Sequence, residues 1–180
     1  MATPRADRLR WMVINGVVMA LGLTLPIVFH AVGLGSRFLP MLLPILLNGF
    51  LSPLGWAILT GGATPLVSAF LTGMPPLYPP VAATMAVEGM VLAGVARLVY
   101  ARNRRHAWPA LVAAVASGRL TAVALSWAAA RLFGLPPGLS AGASLLQSLP
   151  GVALQLAVVP LVLRTIAKRR GPLFEDAGER

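Results

Sequence analysis

The fold class predicted from this sequence is an all-α integral membrane protein: a compact bundle of six transmembrane helices with both termini cytoplasmic. Three observations predict it. The 180 residues are 57% hydrophobic and only 11% charged, whereas an ordinary soluble domain carries about 25% charged residues. Uncharged residues come in runs long enough to cross a bilayer, the longest spanning Phe38 to Val87. The net charge of +10 comes from Lys and Arg clustered beside those runs, the pattern of cytoplasmic membrane flanks.

The elements follow in order. Trp11 to Phe29 holds no Asp, Glu, Lys or Arg and follows Arg5, Arg8 and Arg10. It is longer than the apolar region of a signal peptide, and Phe29-His30-Ala31 is a poor cleavage site, so it reads as an uncleaved first helix over 11–29. The uncharged stretch 38–87 would measure about 75 Å as one helix, against a hydrocarbon core of about 30 Å. It must fold back on itself, and proline marks where. Ser52-Pro53-Leu54-Gly55 and Gly73-Met74-Pro75-Pro76-Leu77-Tyr78-Pro79-Pro80 divide it into helices over 39–51, 54–72 and 81–101. The first of these is short and carries Pro40 and Pro44, so its outer end is expected to be irregular. A fifth helix is expected over 108–133, then the loop Gly134-Leu135-Pro136-Pro137-Gly138, then a sixth helix over 142–167. Residues 1–10 and 168–180 are left as cytoplasmic tails of a single membrane domain.

Orientation comes from the basic residues. Arg5, Arg8, Arg10, Arg97, Arg102, Arg104, Arg105, Arg164, Lys168, Arg169, Arg170 and Arg180 fall on one side. Arg37 and Arg131 fall on the other, with Arg119 mid-helix. Such asymmetry puts both termini in the cytoplasm and supports an even number of crossings.

A charge within the bilayer costs at least about 2.5 kcal/mol, so intramembrane ionisable residues are functional candidates. Glu88 and Arg119 qualify. At 1.5 Å per residue, Glu88 sits roughly 10 Å below the outer end of its helix and Arg119 roughly 16 Å above the inner end of the next. The two depths nearly coincide, so the residues can form a structural salt bridge or line a polar cavity and touch a ligand. Arg119, Ala122 and Ser126 share one face of the fifth helix, with Trp127 at its edge. Ser144, Gln147, Gly151 and Gln155 form a similar stripe on the sixth. The outer loops add His30, Arg37 and Tyr78. On the first helix, Gly16, Ala20 and Thr24 make a small-residue ridge, suited to internal packing or to docking another membrane subunit.

Several chemistries are excluded. No P-loop is present and the one lysine is Lys168, so the chain cannot be its own ATPase. There is no H-E-x-x-H, no G-x-S-x-G and no second membrane acid for paired-carboxylate catalysis. There is also no cysteine, and His30 and His106 lie on opposite sides of the membrane. No enzyme activity, metal site or cofactor is expected. Nucleic acid is not expected as a partner either, since no basic face carries interleaved aromatics.

Several stretches resemble those of substrate-specific S components of energy-coupling factor (ECF) transporters. They are Gly33-Leu34-Gly35-Ser36-Arg37-Phe38-Leu39-Pro40-Met41, Pro44-Ile45-Leu46-Leu47-Asn48-Gly49-Phe50, Pro65-Leu66-Val67-Ser68, Leu71-Thr72-Gly73-Met74-Pro75-Pro76 and Met85-Ala86-Val87-Glu88. The resemblance covers about residues 11–168 in architecture. It implies a multi-pass protein of the bacterial cytoplasmic membrane that captures a vitamin or precursor at its outer face. It also implies partnership with a membrane coupling subunit and two cytoplasmic ATPases. In that family an Ala-x-x-x-Ala ridge on the first helix meets the coupling subunit, and Gly16-x-x-x-Ala20 occupies its place here. The family pocket lies in the outer halves of the last three helices under two loops, which corresponds here to Glu88, Arg119, Ser126, Trp127, Gln147, Arg37 and Tyr78. The nickel- and cobalt-specific relatives carry an N-terminal histidine motif, but no histidine precedes His30 in this chain. The expected ligand is a polar organic molecule, with zwitterions and anions included. The rival reading is a six-helix membrane scaffold resembling the MreD family, which needs no small-molecule pocket.

Overall fold

The computed structural model describes residues 4–102, 107–134 and 141–169. The order is α1 (Pro4–Ala31), α2 (Gly35–Phe38), α3 (Leu42–Leu51), α4 (Leu54–Thr72), α5 (Val81–Arg102), α6 (Ala107–Phe133) and α7 (Ala141–Arg169). Five of these are long and apolar enough to cross a membrane. The all-α class expected from composition is what the described residues adopt, and none of them is in a strand.

Local signals place the helix ends. The backbone N–H of Ser52 donates to the Asn48 carbonyl at 2.8 Å, closing α3. Pro53 then starts the chain into α4, where its missing N–H costs nothing. Gly73, with φ 71°, terminates α4 in a left-handed conformation that glycine adopts without strain. Two departures from the sequence reading stand out. The N-terminal segment expected as a tail is helical from Pro4 onward, because Asp7 in the first turn suits the helix dipole and nothing in Arg5–Arg10 breaks a helix. The segment before α3 also holds an extra four-residue helix, α2, which ends at Leu39 in the left-handed region (φ 47°).

The short α3 is the core of the bundle. Leu42, Ile45 and Leu46 are fully buried, and Phe50 nearly so. A ten-residue helix reaches only about 15 Å, half the hydrocarbon thickness. Apart from Asn48 it is apolar, which fits a helix with most of its surface buried. Helices α1, α4, α5 and α7 pack against it, and α5 in turn packs on α4 and α6. Gly22 of α1 faces Thr64 of α4, and Asn15 of α1 bonds Thr60, so these two helices run parallel.

Lipid is as apolar as leucine, so packing inside a membrane depends on close approach rather than on hydrophobic burial. The contact between α4 and α5 shows this. A Cβ placed on Gly61 would lie 2.5 Å from the Gly89 carbonyl oxygen, and one on Gly89 would overlap the Gly61 carbonyl. Only glycine at both positions lets the two backbones touch.

A second adhesive is polar. Asn15, Asn48, Ser52 and Thr60 are all buried and join α1, α3 and α4. Asn48 Nδ2 and Thr60 Oγ1 both donate to Asn15 Oδ1, at 2.8 and 2.6 Å. Ser52 Oγ donates to Asn48 Oδ1 at 2.6 Å, and Asn15 Nδ2 donates to the Trp11 carbonyl at 2.8 Å. Each buried group thereby gains a partner that the bilayer would not supply.

Candidate functional site

The site is built where α5 meets α6. Gly118 permits the approach: a Cβ there would lie 3.0 Å from Leu92 Cδ1 and 3.8 Å from Glu88 Cγ. With the two helices this close, Arg119 reaches the Glu88 carboxylate and forms a direct ion pair, its side chain 14% exposed and that of Glu88 3%. The depths read from the sequence therefore correspond to an actual contact. The two charges offset one another in a place where either alone would be costly.

Arg119 also forms part of the wall of a cavity of about 300 Å³ between α6 and α7. Val112, Val115 and Ala116 line it from α6, and Ser148, Leu149, Val152 and Leu156 from α7. Arg119 is the one charged side chain on this wall, and Glu88 stands behind it. The surface facing the cavity is almost wholly apolar, and the Arg119 guanidinium is turned to Glu88.

Other residues expected at the site are placed differently. From Arg119 this cavity runs toward the start of α6, and Ser126, Trp127 and Tyr78 are not on its wall. Helical phase is the reason for Trp127: eight residues beyond Arg119 it is turned roughly 80° away. Trp127 is exposed, with the Arg131 guanidinium 5.4 Å from its ring centroid. Tyr78, in the loop between α4 and α5, meets the ring of Phe133 edge-on at 6.2 Å. Ser126 and Phe133 follow Arg119 at seven-residue steps and share its face, so Tyr78 caps that face about 21 Å along the helix from Arg119. The loop carrying Tyr78 is held by Ser68 Oγ, which donates to the Met74 carbonyl at 2.6 Å. His30 Nδ1 lies 2.7 Å from the Pro26 carbonyl, within its own helix. The side chains of Arg37, Ser144 and Gln147 lie outside the described residues. Farther along the α7 stripe, Gly151 and Gln155 are buried and are not part of the cavity wall.

On α1, Gly16, Ala20 and Thr24 are exposed, while Asn15, Val18 and Gly22 face the bundle. Nothing lies within 4 Å of a Cβ built on Gly16. Thr24 Oγ1 turns back to the Ala20 carbonyl at 2.9 Å, which hides the hydroxyl and leaves the ridge apolar.

Sequence reasoning missed two features. Ser148 lies on the cavity wall one residue from the expected Gln147, a difference of helix rotation that spacing alone could not choose. The Asn15 network was missed as well, although an asparagine in the first span and another in the second were a visible signal, amides being costly to bury unpaired.

Fold and site together define a class: a multi-pass helical membrane protein with a ligand-sized hollow beside a buried ion pair. The family model described as ECF transporter, substrate-specific component, matches residues 10–163, and the chain belongs to that family. This is a family of transporter substrate-binding components, not of enzymes, and membership implies a small-molecule substrate and association with the other subunits of an ECF module. No curated protein and no solved structure matches the chain.

Proposed function

We propose that this protein captures a vitamin or related micronutrient at the extracellular face of the bacterial cytoplasmic membrane and hands it to an ATP-driven import complex. Both termini are cytoplasmic in this reading. Energy comes from two cytoplasmic ATPases acting through a membrane coupling subunit, since the chain has no nucleotide-binding loop of its own. Arg119 contacts the substrate and Glu88 holds Arg119 in place. Ser126 continues the same helix face outward, and Tyr78 covers its far end. Arg37, Trp127 and Gln147 contribute at the rim. Gly16, Ala20 and Thr24 form the face that meets the coupling subunit.

The observation that carries this reading is the buried Glu88–Arg119 pair between α5 and α6, in a chain of this family. Ionisable side chains within a membrane protein turn to the bundle interior and commonly mark a substrate pathway. The test is a thermal-shift screen of the purified protein against vitamins and their precursors, because a ligand of the native state raises Tm by mass action. One compound is expected to stabilise the wild-type chain and to lose its effect in Arg119→Ala. If no compound does so, the scaffold reading is favoured instead.

A further inference from the structure

On α7 an exposed apolar stripe runs straight into exposed cations. Ala153, Ala157 and Leu161 recur at four-residue steps on the outer face of the helix. Arg164 and Lys168 continue that face, and both are exposed. Along the axis Arg164 lies about 5 Å beyond Leu161 and Lys168 about 10 Å beyond it. The polar layer on each side of the hydrocarbon core is about 5–8 Å thick. A phospholipid whose chain lies along Ala157 and Leu161 therefore brings its phosphate within reach of both cations.

Two other helices repeat the arrangement. On α5 Arg102 follows the exposed Leu98 by one turn, and on α1 Arg8 precedes the exposed Met12 by one turn, with Arg5 farther out. These ends lie on the same side of the bundle. Gly61 meets Gly89 and Ile58 meets Gly94, so α4 and α5 are antiparallel, while α1 runs parallel to α4. Helix α6 returns beside α5, bringing Arg119 to Glu88 and Phe133 to Tyr78, and α7 turns back once more.

Tryptophan marks the level of the membrane surface at this end, since such rings settle among the headgroups. Trp11 has the Arg10 guanidinium 5.4 Å from its ring centroid, and Trp108 at the start of α6 is 51% exposed. Against the exposed cations Arg5, Arg8, Arg102, Arg164 and Lys168, the same end has one acid among the described residues, Asp7. The charge there is left to be met from outside the chain.

We propose that this end of the protein binds anionic phospholipid, with the phosphate held by Arg164 and Lys168 of α7 and further headgroups gathered by Arg102, Arg5 and Arg8. Lipid fits better than soluble phosphate because the apolar stripe takes its chains. An anionic headgroup fits better than a zwitterionic one, which carries a cation of its own. This surface is independent of the substrate site.

The test follows thermal unfolding of the detergent-purified full chain by tryptophan fluorescence. Phosphatidylglycerol, phosphatidylcholine with the same chains, or soluble glycerol phosphate is added at equal concentration. Phosphatidylglycerol at about tenfold its Kd is expected to raise Tm by about 3–5 °C, and the other two to leave it nearly unchanged. Raising the salt to about 0.5 M should at least halve the shift. Arg164→Gln/Lys168→Gln, two exposed changes at a helix end, should remove most of it. Arg131→Gln at the opposite end of the bundle should keep it whole. Equal stabilisation by the two lipids overturns the proposal, as does a shift that survives in the α7 double variant. A response to glycerol phosphate as large as that to the lipid reduces the surface to a simple anion site and also overturns it. So does the absence of any shift with phosphatidylglycerol, in which case an acidic protein surface is the partner that the charges fit.

Discussion

Asn48 on α3 donates a hydrogen bond to Asn15 on α1 at 2.8 Å, with both side chains buried. The same Asn15 oxygen accepts from Thr60 on α4, so one amide ties three helices together. Asn15→Ala would leave the Asn48 amide and the Thr60 hydroxyl without this acceptor. The expected loss is about 1–2 kcal/mol, since such bonds are weaker in membranes than an unsatisfied group in water-free protein suggests. A fall of several degrees in Tm of the purified protein checks this. Thr24→Ala removes a hydroxyl bonded only within its own exposed turn, and should leave Tm nearly unchanged.

The ion pair should behave non-additively. Arg119→Met leaves Glu88 buried without its cation, and Glu88→Gln leaves Arg119 without its anion. Removing one partner of a buried pair costs about 3–5 kcal/mol, whereas replacing both is often close to neutral. The double variant Glu88→Gln/Arg119→Met is therefore expected to recover most of the stability lost by either single change. Ligand-induced stabilisation should stay absent in it, which separates the architectural role of the pair from its binding role.

Two glycines of α4 should respond in opposite ways. Gly61→Ala drives a methyl into the Gly89 backbone and should force α4 and α5 apart, costing at least about 2 kcal/mol and broadening the size-exclusion profile. Nothing lies within 4 Å of a Cβ on Gly55 in the first turn of the same helix. Gly55→Ala is expected to be neutral or to stabilise by about 0.5–1 kcal/mol.

The ridge on α1 makes a prediction about assembly. Gly16→Leu and Ala20→Leu add bulk to an exposed face, so stability and ligand binding by the isolated protein should be unaffected. Co-purification with a coupling subunit and ATPases, and substrate uptake by cells, should be lost. Loss of ligand binding with assembly intact contradicts the docking role.

Much of the fold was legible because its signals are local. Pro53 and Gly73 bound α4 by what they do to their own backbone, and Pro79-Pro80 does the same for the start of α5. The meeting of Glu88 and Arg119 was also within reach of the sequence, since helix rise converts position into depth. Less was legible where rotation mattered. Ser148 needed the angle of a helix about its own axis, which neighbouring helices set. The helix starts at Pro4 rather than near Trp11 because the charges of this flank give no reason to stop a helix.

From its own residues, then, the chain determined its membrane class, where its helices turn and which two charges lie at one depth. Hydrophobicity, proline and helix rise act over a few residues and need no knowledge of distant partners. Tertiary structure alone decided that α3 lies largely enclosed, that Asn15 binds two other helices, and that a hollow opens beside Arg119 between α6 and α7. Those outcomes depend on how close two backbones can come, and the contact between Gly61 and Gly89 joins residues far apart in the sequence that only the packed bundle brings together.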